Sequence, residues 1–177
     1  MDMGFHVRVL VCGLALASAG LAAGCPDGFF EAAGGCFVVH TQPSTGQTDL
    51  DWGGARSLCQ GLSNSTWSVD LAVFDSSEQL AAVSEAWSSI SLTYPYAYPY
   101  MWIGVTRQED AWAWLDGRPL SRFSNMWRVD YPAEAEDTGV YLEDYGLSNG
   151  ANVFGRLYVG NSGHQWLRRC MCRAKSS

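Results

Sequence analysis

Trp102-Ile103-Gly104-Val105, followed by Ala111-Trp112-Ala113-Trp114, is the stretch that decides the fold of this chain. Both runs are short and rich in aromatic and β-branched residues, so each reads as a strand bounded by turns. Val140-Tyr141-Leu142, Phe154-Gly155-Arg156-Leu157-Tyr158 and Trp166 to Met171 repeat the pattern toward the C-terminus. On the N-terminal side the periodicity changes. Asp75 or Ser76 is placed to cap a helix carrying Leu80, Val83, Ala86, Trp87 and Ile90, with Leu71-Ala72-Val73-Phe74 as a short buried strand before it. Further back, Thr48 or Asp49 is placed to cap a helix whose apolar positions are Leu50, Ala55, Leu58, Cys59 and Leu62. Gly28 to Val39 reads as a β-hairpin turning at Ala33-Gly34-Gly35, with Cys25 and Cys36 at its ends, placed to tie it shut. Two helices followed by several short strands give an α+β fold class.

The first residues have the layout of a secretory signal peptide: an apolar run from Val9 to Ala23, behind His6 and Arg8, with small residues at Ala22 and Gly24. The run is too short for a membrane helix. The expected organisation is therefore a signal peptide over residues 1–24, cleaved between residues 19 and 25, and one extracellular domain over 25–177 with no membrane span. Removing residues 1–24 takes out Asp2 and Arg8 and leaves the formal charge at −7. That balance argues against nucleic acid and anionic membranes, which require basic patches.

Five cysteines remain after Cys12 leaves with the signal: Cys25, Cys36, Cys59, Cys170 and Cys172. An odd set in an oxidising compartment implies two bridges and one spare thiol. Zinc is the rival reading, but no CxxC pair or second Cys/His cluster supports it. Residues two apart on a strand face the same side, so Cys170 and Cys172 both point inward and either can meet Cys59. The spare thiol is expected to be free or to link a disulfide-bonded dimer.

Three stretches lie outside these elements. Asn64-Ser65-Thr66 is the one glycosylation sequon, marking an exposed loop. Tyr94-Pro95-Tyr96-Ala97-Tyr98-Pro99-Tyr100 reads as an ordered turn or as an exposed aromatic contact surface. Leu115 to Val140 has little periodicity, and a connection of that length is read as a long structured functional loop.

Taken together, these pieces resemble the C-type lectin-like domain, and the likeness runs from Cys25 to Arg173. Cys25-Pro26-Asp27-Gly28-Phe29-Phe30 through Cys36 is similar to the N-terminal hairpin of the long form. Trp52, Ala55 and Cys59 match the first helix, and Leu71-Ala72 with the Ser77-Glu78 helix matches the second. Trp102-Ile103-Gly104-Val105 resembles the WIGL signature. Trp112-Ala113-Trp114-Leu115-Asp116-Gly117 with Asn125-Met126-Trp127 resembles the segment that follows it, and Cys172 takes the place of the last cysteine. The resemblance implies a fold of two helices with short antiparallel sheets and a long loop region, a Cys59–Cys172 bridge in preference to Cys59–Cys170, and Trp102, Trp112, Trp114 and Trp127 in the interior.

Sugar-binding members of this family hold calcium through an EPN or QPD tripeptide, a Glu further on and the Asn-Asp of a WND motif, since calcium takes six to eight oxygen ligands. By the resemblance, Pro132 is the tripeptide proline, but its neighbours are Tyr131 and Ala133. Glu136 and Asp137 match the later Glu-Asp pair and are the remaining metal candidates. Tyr158-Val159-Gly160 stands at the WND position, and Thr138 and Gly163 replace the inner pair of cysteines. Glu134, Glu136, Asp137, Glu143 and Asp144 form an acidic cluster, either a solvated face or a rearranged calcium shell. The ligand-binding candidates are Tyr131, Pro132, Ala133, Glu134, Glu136, Asp137 and Tyr158.

The implied function is a secreted recognition protein for carbohydrate or microbial surfaces in innate defence, with a degenerate calcium and sugar site. The alternative is a calcium-independent module that binds a protein through Tyr94, Tyr96, Tyr98, Tyr100 and Tyr131. His40 and His164 are the only histidines after the signal, and no GxSxG, HExxH or Gly-rich phosphate loop is present, so no enzyme is expected.

Overall fold

Ala33 and Gly34 both take positive φ, 47° and 73°, the two-residue turn whose twist matches the strands it joins. It closes β1 (Phe30–Ala32) onto β2 (Gly35–Thr41), and a Cys25–Cys36 disulfide ties the segment before β1 to β2 at the residue opposite Glu31. The computed structural model describes residues 24–41, 50–91, 100–132, 139–144, 154–160 and 169–177. The segment read as a signal peptide therefore lies outside the described residues, apart from Gly24.

The other elements follow as α1 (Trp52–Gln60), β3 (Trp67–Leu71), α2 (Ser77–Ser91), β4 (Tyr100–Gln108), β5 (Ala111–Trp114), β6 (Pro119–Leu120), β7 (Gly139–Asp144), β8 (Phe154–Gly160) and β9 (Arg169–Ser176). Among the described residues this is an α+β fold of two helices and nine strands in one sheet. The C-terminal strand is its organiser. β9 runs antiparallel to β2 and to β3, and Trp102 of β4 meets Cys170 in a parallel bridge. β4 then pairs with β5 and with β7, and β7 pairs with β8.

β4 is buried on both faces from Met101 to Val105, which explains why its apolar run is continuous rather than alternating. Met101, Ile103 and Val105 pack with Phe37, Phe74, Leu80, Val83, Trp112, Trp114 and Trp127. Trp102 faces the other way, into a smaller core of Leu50, Ala55, Cys59, Val69, Leu71, Cys170 and Cys172. Its Nε1 donates to the Leu50 carbonyl at 2.7 Å. Gly104 is required between them, because a Cβ there would stand 2.7 Å from the Leu71 carbonyl oxygen.

Several element boundaries differ from the sequence reading. Residues 42–49, which include Thr48 and Asp49, lie outside the described part, and the cap of α1 is Asp51, whose Oδ1 accepts from the Gly54 N–H at 2.6 Å. Leu50 precedes the helix, its carbonyl already committed to Trp102. Leu62 follows the helix and is exposed, as is Ile90 near the end of α2, so neither belongs to a buried face. The expected strand at Leu71-Ala72-Val73-Phe74 is displaced: β3 ends at Leu71, and Ala72 to Phe74 are buried in irregular backbone. The Ala72 N–H donates to the Met171 carbonyl, and the Ala72 carbonyl accepts from the Gly104 N–H, both at 2.8 Å. Ser76 caps α2, its Oγ accepting from the Gln79 N–H. β9 continues to Ser176, well past Met171.

Cys59 and Cys172 are bonded, pinning α1 to β9 across a sequence separation of 113 residues. Cys170 is a free, fully buried thiol whose Sγ lies 3.9 Å from that of Cys59. Burial pushes its pKa from 9.0 up to about 12. Such a thiol has no surface from which to reach a second chain, which removes the physical basis for a Cys170-linked dimer of the folded protein. The three sulfurs cluster within 4.8 Å, but two are bonded to each other and the third is held protonated, so they do not form a set of thiolate metal ligands.

Outside the core, Arg173 and Arg118 bracket Asp75, at 2.8 and 3.1 Å, and Arg118 also meets Asp116. The hydrogen bond from Arg173 holds the Asp75 carboxyl below its ordinary range, and that from Arg118 does the same for Asp116. Among the described residues no helix is long and apolar enough to cross a membrane.

Candidate functional site

The loop leaving β6 reaches the expected binding face and is held there by its own tryptophan. Trp127 packs edge-on against Trp112, ring centroids 5.6 Å apart, and its Nε1 donates to the Ser121 carbonyl at 2.9 Å. The backbone on either side of Trp127 then attaches to β8: the Leu157 N–H donates to the Met126 carbonyl and the Arg128 N–H to the Leu157 carbonyl, at 2.9 and 3.1 Å. The Arg156 guanidinium adds a bond to the Asn125 carbonyl. The chain turns again through Asp130, at φ 70°, and the Tyr131 N–H closes on the Arg128 carbonyl at 3.0 Å. This sets Arg128 and Tyr131 at one spot.

Beneath that spot lies a column of aromatic rings. Tyr141 and Tyr158 oppose each other across β7 and β8, and their rings stack at 5.6 Å with 9° between planes. Trp102 meets Tyr141 edge-on at 6.0 Å, and Tyr100 flanks the stack, edge-on to Tyr141 at 5.0 Å and to Tyr158 at 6.1 Å. From above, the Tyr131 ring lies 4.9 Å from that of Tyr158. The Arg128 guanidinium stands 4.6 Å over the Tyr158 ring, within cation–π range. Tyr158 is only 3% exposed, and its hydroxyl has no hydrogen-bond partner among the described residues. Arg128 is exposed, and no carboxylate pairs with it among the described residues.

Of the residues expected to form a ligand site, the structure brings together Tyr131, Pro132 and Tyr158. The first two are half-buried, with a cis peptide bond between them, and Tyr131 meets the buried Tyr158 ring. Ala133, Glu134, Glu136 and Asp137 lie outside the described residues, as do Tyr94, Tyr96 and Tyr98. Arg128 did not emerge from the sequence, where the search was for oxygen ligands to a metal. An arginine directly after the loop's anchoring tryptophan, in a chain with few cations, is the signal that was available.

Calcium can be tested against these side chains. Among the described residues the positions matching the sugar-site ligands carry Tyr131, Tyr158, Val159 and Gly160, none of which is a carboxylate or carboxamide; Ala133 and Glu136 lie outside them. At Gly160 a Cβ would run into the Tyr141 ring, so a ligand side chain has no room without displacing the aromatic column. A guanidinium already lies above Tyr158, and a divalent cation beside it would be repelled. The described part of the site does not fit calcium.

Among solved structures the chain is similar to C-type lectins, and it has the C-type lectin-like fold. One is the C-type lectin CEL-I from Cucumaria echinata, with a TM-score of 0.64 and 18% identity over 86% of this chain and 99% of that one. Human lithostathine gives 0.60 and 18% over 85% and 90%. The cow C-type carbohydrate-recognition domain of CD23, solved in the presence of a GlcNAc2Man3 oligosaccharide, gives 0.58 and 18% over 87% and 97%. No family sequence profile and no curated protein sequence matches the chain.

Proposed function

We propose that the chain is an extracellular recognition module that binds saccharide without calcium, and not an enzyme. The observation that supports this reading is that Arg128 and Tyr131 both seat on the buried Tyr158 ring, and the resemblance matches Tyr131 and Tyr158 to positions where a calcium-dependent site carries oxygen ligands. An aromatic ring offers the C–H face of a sugar a large contact at little conformational cost. The lectin-like neighbours, one of them solved with an oligosaccharide, support saccharide as the ligand class. Secretion after loss of residues 1–24, a domain over residues 25–177, a glycan on the exposed Asn64 and a role in innate defence belong to the same proposal. Glu136 and Asp137 then serve as part of a solvated acidic face.

A second reading, binding to a protein surface, is favoured by Phe123 and Val129, which are 90% and 81% exposed on the same loop. A glycan array probed with and without a chelator separates the two. Saccharide signal that survives chelation and is lost in Tyr131→Ala supports the first reading. No signal on any glycan excludes it.

A further inference from the structure

We propose that the saccharide bound at this site is anionic, held through its carboxylate or sulfate by the Arg128 guanidinium. The inference rests on the saccharide-binding reading above and specifies its ligand. Arg128 is exposed, has no carboxylate partner among the described residues, and is oriented by the face of Tyr158, 4.6 Å below. Its own loop fixes it twice more, through its N–H to Leu157 and its carbonyl to Tyr131. A guanidinium has five donors and no acceptor. Asp130, exposed in the same turn, forms no ion pair with Arg128 among the described residues, and the side chains that meet the Tyr158 ring beside Arg128, those of Tyr100, Tyr131 and Tyr141, carry no charge.

A donor-only side chain asks for an acceptor-only group. A neutral sugar hydroxyl both donates and accepts, so donors alone leave half of its capacity unused. A carboxylate or sulfate needs only donors, and the planar fork matches two of its oxygens at once. Tyr131, half-buried and 4.9 Å from the same Tyr158 ring, is positioned to pack against the sugar ring that carries the charge. The net charge of −7 acts against an anionic ligand at long range, but at physiological salt it is screened beyond about 8 Å. Contact with an arginine that has no carboxylate partner among the described residues is decided at shorter distance.

The test measures binding of the secreted protein to three immobilised probes: a neutral chitin oligosaccharide, an oligogalacturonate and a sulfated heparin oligosaccharide. Arg128→Gln and Arg122→Gln are compared with the unaltered chain, each checked for an unchanged melting temperature. The proposal expects one or both charged probes to bind. Arg128→Gln should lose ~10-fold or more, equivalent to about 1.4 kcal/mol, while Arg122→Gln changes little. The uronate and sulfate arms show which acid is preferred. Equal loss in both variants would mean diffuse charge attraction and overturns the assigned site. Binding to the neutral probe alone, indifferent to Arg128, overturns the inference and leaves the saccharide reading intact. Binding to no probe overturns the inference, and the glycan array then decides the saccharide reading.

Discussion

Trp102 joins the scaffold to the candidate site, and its removal can be worked through from the structure. The indole is fully buried in the same core as the Cys59–Cys172 bridge, meets Tyr141 edge-on, and gives its one proton to the Leu50 carbonyl. Trp102→Ala opens a large cavity and costs roughly 3 to 5 kcal/mol. For a domain of this size each kcal/mol moves the melting temperature by about 2 to 4 °C, so the expected fall is ~6 to 20 °C. Trp102→Phe keeps most of the apolar contact but leaves the Leu50 carbonyl without its donor, which costs about 1 to 3 kcal/mol. The order is therefore unaltered chain, then Phe, then Ala. Thermal unfolding followed by circular dichroism, without reductant, reads this order directly. Saccharide binding should fall in the same order, because Tyr141 loses the ring it rests on. A Trp102→Ala protein melting within ~2 °C of the original would refute the packing argument.

Replacing Cys59 and Cys172 together by Ser releases a 113-residue separation and should lower stability by about 4 to 5 kcal/mol, read by denaturant unfolding. Cys170 should resist alkylation in the native protein and react once the chain is unfolded, with only monomer on a non-reducing gel; a dimer band would contradict its burial. Because the folded thiol titrates near 12 and the unfolded one near 9.0, it favours folding below pH 9 and that contribution is lost as pH rises toward 12. Cys170→Ala should flatten this alkaline limb. Asp75 works in the opposite sense: its carboxyl is held below 3.8 by Arg173, so its contribution is present above that pH and lost as acid protonates it. Asp75→Asn should weaken the acid dependence of the melting temperature.

Much of this scaffold was legible because its signals are local or strongly constrained. Trp102 to Val105 reads as a buried run because both of its faces are covered, and the Ala33-Gly34 turn is visible in its residue types. The boundary of α1 was not legible, since Asp51 caps it only after the Leu50 carbonyl has been taken by a tryptophan 52 residues away. Ala72 to Phe74 look like a strand because burial and strand formation favour the same residues; their hydrogen bonds go to Met171 and Gly104 from irregular backbone. Leu62 and Ile90 fit a helical period yet lie beyond or near a helix end, where the face no longer meets the core.

The site was legible by subtraction only. The absence of ligand side chains at Tyr131, Ala133 and Tyr158 could be read from the resemblance, but not what replaced them. That Tyr158 stacks on Tyr141 depends on the opposed register of β7 and β8. That Arg128 stands over Tyr158 depends on two backbone bonds between the loop and Leu157. Neither has a sequence period.

The central claim is that this site recognises saccharide through Tyr131 and Arg128 in place of calcium. Titration of the protein against the charged oligosaccharide it binds, uronate or sulfated, by calorimetry in excess calcium and again in excess chelator, tests it most directly. The account predicts the same affinity in both conditions and its loss in the Tyr131→Ala, Arg128→Gln double variant. Binding that appears only with calcium would contradict it.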